Sequence, residues 1–66
     1  MVGARIKQLR EAKGLQQKEL GEIVGVTDPM ITMIERGTRQ VSAPLLGDLA
    51  KTLGCTTDWL VYGDER

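Results

Sequence analysis

A chain of 66 residues has room for one domain, and a domain this small folds only with a compact core and well-capped helices. Hydrophobic residues make up 41% of it, with one Trp, one Tyr and no Phe, an aliphatic inventory that suits helix-on-helix packing and argues against a β-sandwich. Nine basic and nine acidic residues cancel, so bulk charge lends nothing to nucleic-acid binding, and a single Cys55 without any His excludes an internal disulfide and a zinc site.

The first predicted helix runs from Gly3 to Lys13, with Val2, Ile6 and Leu9 on one stripe and Gly14 as terminator; Leu15 then turns back into the core. A second helix, Gln17 to Val24, carries Leu20, Ile23 and Val24 inward and ends at Gly25. Thr27 is a natural N-cap for a third helix reaching Arg36, and Pro29 is tolerated because it falls in the first turn, where amide hydrogens lack intrahelical partners. Gly37 and a polar loop of Thr38, Arg39, Gln40 and Val41 lead to Ser42, the cap of a fourth helix from Ala43 to Leu53. Its Leu45, Leu46, Leu49, Ala50 and Leu53 recur at helical spacing, and Gly54 follows its end. A short fifth helix, Thr57 to Tyr62, turns Trp59 and Leu60 inward before Gly63, and Cys55 reads as a small buried hydrophobe. The expectation is a single all-α domain over residues 1–66 with no linker, repeat or low-complexity segment.

No apolar run approaches the ~18 residues that a membrane span needs, and no basic-then-apolar segment opens the chain, so a cytoplasmic protein without a membrane partner is expected. The inventory also argues against an enzyme. A nucleophilic Ser or Cys has no His beside it to act as base, and Glu11, Glu19, Glu22 and Glu35 are spread over helices with no pocket to share. The glycines sit singly at helix ends and turns, so none forms a phosphate-cradling loop, and no cofactor or metal is expected.

Between Gln17 and Arg36 the apolar Leu20, Val24, Val26, Ile31 and Ile34, the small Gly21 and the turn residue Gly25 have the spacing of a helix-turn-helix. Helix two must cross helix three closely at Gly21, and the turn is easiest for a glycine at positive φ. Charge distribution supplies what the total does not. Residues 1–15 hold Arg5, Lys7, Arg10 and Lys13 against Glu11 alone, Arg36 and Arg39 follow the second helix pair, and Asp64 and Glu65 close the tail.

Taken together, Gln17–Leu20, Val24–Thr27, Ile34–Gly37, Leu49–Gly54 and Asp58–Leu60 resemble the lambda-repressor/Cro family over nearly the whole chain. The resemblance implies a compact five-helix DNA-binding domain of a phage or bacterial transcriptional repressor, or of an antitoxin-type autoregulator, bound as a dimer to inverted-repeat operator half-sites. It implies that Asp28, Pro29, Thr32 and Met33 face the major groove. Phosphates would be met by Gln17 at the start of helix two and by Arg10, Thr27, Arg36, Thr38, Arg39 and Gln40, with the Gln17 amide also bracing helix three. In the family a basic residue at the position of Arg10 reaches the acidic residue at that of Glu35, a bidentate pair that keeps guanidinium hydrogens for a phosphate. A C-terminal domain or an antirepressor protein stays open as a further partner.

The chain departs from its family on the reading face, where relatives often place Gln, Arg, Asn or Ser. Asp28 accepts from a cytosine amino group or merely complements the helix dipole, while Met33 and the Thr32 methyl suit thymine methyls. Met30 and Met33 equally suit an adaptable protein-binding surface, which keeps a helix-turn-helix used for protein binding as the alternative. Arg36 and Arg39 read as phosphate contacts or as ordinary solvated charges. Two copies are expected to meet through Trp59, Val61 and Tyr62 together with the loop before Ser42, because one short reading helix covers too few base pairs for useful specificity.

Overall fold

The structure, a computed structural model, describes residues 2–63; Asp64 and Glu65 of the acidic tail lie outside the described residues. Five helices follow one another: α1 (Val2–Ala12), α2 (Gln17–Val24), α3 (Asp28–Arg36), α4 (Ala43–Leu53) and α5 (Thr57–Tyr62). Among the described residues there is no strand. Apart from a one-residue shift of α1 at each end, the elements are those the periodicity predicts.

Caps fix the helix starts. The Thr27, Ser42 and Thr56 hydroxyls accept from the amides of Met30, Leu45 and Trp59 at 3.3, 3.4 and 3.0 Å. Ahead of α2 the Gln16 amide donates to the Glu19 carboxylate at 2.8 Å, one half of a capping box. Gly25 ends α2 in the left-handed region at φ 82°, where a side chain would be strained, and this sharp reversal sends the chain into α3.

Ile6, Leu20, Ile31, Ile34, Leu49 and Leu60 are fully buried, one or two from every helix, and Leu45, Ala50 and Leu53 complete the core. Burying each such aliphatic side chain is worth roughly 1.5–3 kcal/mol, so helices too short to persist alone hold one another in place. Leu9, Val24, Leu46, Cys55 and Trp59 are partly buried and pack against this core.

Two expectations are corrected. Ile23 was placed inward, yet it is 58% exposed. Helical residues advance about 100° each, so the buried face of α2 runs from Leu20 through Val24 to Gly21 and leaves Ile23 on the far flank. Leu15 turns back only halfway and lies outside the core; its carbonyl instead takes a hydrogen bond from Arg10.

Candidate nucleic-acid interface

The α2–α3 unit depends on two close backbone approaches. A Cβ added at Gly21 would stand 2.7 Å from the Val26 carbonyl oxygen, and one at Gly3 would stand 2.7 Å from that of Glu35, both closer than real contacts allow. Gly21 therefore lets α2 rest on the turn, and Gly3 lets α1 rest on the end of α3.

A polar chain then fixes the orientation of α3. Arg10 Nε donates to Glu35 Oε2 at 2.6 Å and Nη2 to Oε1 at 3.1 Å, a two-point bond between side chains only 9% and 3% exposed. Arg10 Nη1 donates to the Leu15 carbonyl at 2.8 Å. Gln17 Nε2 donates to Glu35 Oε1 at 3.0 Å, and Gln17 Oε1 accepts from the Thr32 hydroxyl at 2.8 Å. The Glu35 bond raises the Arg10 pKa above its ordinary value against the opposing effect of burial, so the guanidinium stays charged. Among the described residues no buried side-chain nitrogen or oxygen lacks a partner.

The structure brings Arg10, Gln17, Thr32 and Glu35 into this one network, from helices far apart in sequence. Three of the five guanidinium hydrogens of Arg10 are spent within the fold and the residue is 8% exposed, so the contacts seen in the structure position α3.

Asp28, Pro29 and Met33 lie exposed along one side of α3, with Thr32 half-buried beside them. Thr27 and Thr38 are exposed but their hydroxyls serve the helix ends: Thr27 caps α3, and Thr38 donates to the Met33 carbonyl at 3.2 Å. Arg36, the last residue of α3, is exposed, as are Arg39 and Gln40 beyond it, and an open groove of about 310 Å³ is lined by Val2, Ile34 and Val41 with Arg39 and Gln40. Trp59 is half-buried, while Val61 and Tyr62 are 41% and 54% exposed.

Sequence reasoning missed Arg5, whose Nη1 donates to the carbonyls of Leu60 and Val61 at 3.1 and 3.0 Å and so clamps α5 to α1. Nothing in the local sequence signals this bond across 55 residues. It also missed the Gln16–Glu19 cap, which the Gln-x-x-Glu spacing does offer. Among the described residues no three His, Cys, Asp or Glu gather to hold a metal ion, and no helix is long and apolar enough to cross a membrane.

A family model described as Helix-turn-helix matches residues 6–60, from the first core residue of α1 to the last of α5. The chain belongs to the helix-turn-helix family. It is 38% identical over 65 residues to an uncharacterized transcriptional regulator in the ATPase CF(0) region of Rhodospirillum rubrum, covering 98% of this chain and 60% of that protein. It is 34% identical over 64 residues to the repressor protein C2 of Salmonella phage P22, covering 97% of this chain and 30% of that protein. The chain thus spans between about a third and three-fifths of these relatives. Among solved structures, the P22 c2 repressor in complex with a synthetic operator superposes with a TM-score of 0.93 at 34% identity, covering 97% of each chain. SinR, a master regulator for biofilm formation, in complex with DNA superposes at 0.85 with 34% identity, covering 92% of this chain and 98% of that one. The fold is the lambda-repressor-like arrangement of five helices.

Proposed function

We propose that this helix-turn-helix domain binds duplex DNA with sequence preference, as the DNA-binding part of a cytoplasmic transcriptional repressor, by laying α3 in the major groove. The observation that carries this reading is the rigid presentation of α3. A short helix projects Asp28, Pro29 and Met33 into solvent while Glu35, Gln17 and Arg10 hold its rotation from behind. Such a surface, held from behind by hydrogen bonds, suits recognition of something outside the domain. The family relatives named as repressors, one of them solved on an operator, support DNA as that partner.

In this reading the N-terminus of α2 at Gln17 and the cap residue Thr27 face phosphates, where unpaired amides and the helix dipole favour an anion. Arg36, Thr38, Arg39 and Gln40 grip the backbone beyond the other end of α3. Two copies bind an inverted repeat with half-site centres one helical turn, ~10 base pairs, apart, meeting through the half-buried Trp59 and the exposed Val61 and Tyr62 with the loop before Ser42. So small a contact leaves the free chain monomeric at micromolar concentration.

A salt series on a selected and on a random duplex tests this. Affinity is expected to fall with salt at a log–log slope of about −0.9 per phosphate neutralised, and Arg39→Ala flattens that slope on both duplexes alike. Equal affinity for the two duplexes, or none for either, would favour the second reading of a protein-binding module, for which the zero net charge and the exposed Ile23 speak.

A further inference from the structure

We infer that the open groove between the start of α1 and the loop after α3 is a binding site for a small apolar carboxylate, and that the bound acid competes with the duplex for Arg39; the competition rests on the duplex-binding reading above. The groove holds about 310 Å³, at the lower end of the ~300–1,000 Å³ range of ligand cavities. At a water's share of ~30 Å³, that is room for about ten non-hydrogen atoms. Val2, Ile34 and Val41 give it apolar walls, and Val2 and Val41 stay only half-buried although both pack against the core. An apolar body seated there covers surface that the fold itself leaves in water.

The polar groups of the groove decide what that body carries. Arg39 and Gln40 line it and are exposed, and among the described residues the Arg39 guanidinium has no carboxylate partner. No acidic residue lines the groove, and the segment from Arg36 to Val41 holds two arginines and no acid. A cation would meet like charge there, and a neutral apolar molecule would leave the guanidinium facing water. A carboxylate accepts two parallel N–H bonds from a guanidinium, and the Gln40 amide offers a further donor. A duplex phosphate can meet Arg39 but brings no apolar body to fill the groove. A carboxylate on Arg39 cancels the charge that a phosphate would use, so acid and duplex each lower the other's affinity by the same factor.

The probe is 3-phenylpropionate, a phenyl ring on a short chain ending in a carboxylate. It is compared at fixed ionic strength with acetate, which has the charge without the body, and with 3-phenylpropionamide, which has the body without the charge. Titrated into the labelled free chain, the acid is expected to shift the amides of Gly3, Gly37, Gln40 and Val41 with a Kd of about 1 mM, in keeping with so small a ligand in an open site. Acetate and the amide are expected to bind about tenfold more weakly, and Arg39→Ala to bring the acid down to the level of the amide. With about 10 mM acid the Kd for a selected duplex rises up to about tenfold. No shift, equal binding of acetate or of the amide, or shifts centred outside the groove overturn the site. The same shifts on concentrating the chain alone would give the groove to a second copy and overturn it too. An acid that fills the groove while duplex affinity stays unchanged overturns the competition. A chain that binds no duplex with or without the acid ends the duplex reading and the competition with it, and leaves the site standing.

Discussion

α3 and α5 are short helices resting on the same core, but different forces hold them. α5 buries Leu60 completely and Trp59 in part, and the Arg5 side chain clamps its last carbonyls to α1. α3 buries Ile31 and Ile34 and adds the Arg10–Glu35–Gln17–Thr32 chain with close backbone contacts at Gly3 and Gly21. Apolar burial is non-directional, so it holds a helix against a core without fixing how the helix is rolled. A roll of about 20° moves a side-chain tip by roughly 2 Å at the outer radius of a helix, enough to lose contact with a base edge. Directional bonds are concentrated on α3, whose orientation the proposed duplex contact depends on.

The largest effect expected from breaking this contrast comes at Arg10. Arg10→Met leaves the Glu35 carboxylate buried and unpaired, which costs ~3–5 kcal/mol in urea unfolding. A second change, Glu35→Leu, is expected to restore most of the stability but not the affinity for DNA, because the packing returns without the bond to Gln17. If the double variant binds DNA as tightly as the parent, the network has no part in orienting α3. Gly3→Ala follows at about 1–3 kcal/mol, since the new methyl meets the backbone of Ile34 and Glu35, which has little freedom to move away. Thermal melting checks it, and an unshifted midpoint would deny the close approach of α1 to α3.

Arg5→Met removes a charged donor from the end of α5 and is expected to cost about 1 kcal/mol. Hydrogen exchange would show faster amides within α5 and unchanged ones in α3; uniform acceleration would mean that the two helices are not separately anchored. The smallest effect is at Cys55, whose thiol burial lifts above its ordinary pKa of 9.0. The folded chain holds that proton longer than the unfolded chain, so stability is whole below pH 9 and declines as pH rises through and beyond it. In Cys55→Ala that part of the decline disappears, and chemical unfolding at pH 8 and pH 10 reads the difference.

Most of this architecture was legible because local rules and the global fold agree. Thr27 followed by Pro29, Ser42 followed by Pro44, and glycines just past each helix marked the ends without reference to tertiary structure. Ile23 misled because an eight-residue helix offers two overlapping apolar stripes, and only the approach of the chain at Gly21 selects between them. The candidate site was legible in its residues and less so in their commitments. The Arg10–Glu35 pair and the Gln17 brace follow from the family resemblance, but that the brace ends on the Thr32 hydroxyl and the Glu35 carboxylate is seen only in the fold. The Arg5 clamp was invisible because a bond between residues 5 and 60 leaves no periodic trace.

The central claim, that a hydrogen-bonded scaffold presents α3 to the major groove, is tested most directly by mapping amide chemical shifts while a selected duplex is titrated into labelled protein. The largest changes are expected at Gln17, from Thr27 to Met33, and from Thr38 to Gln40, with small changes at Ile23. Changes centred on Ile23 or confined to Val61 and Tyr62, with α3 unmoved, would contradict it.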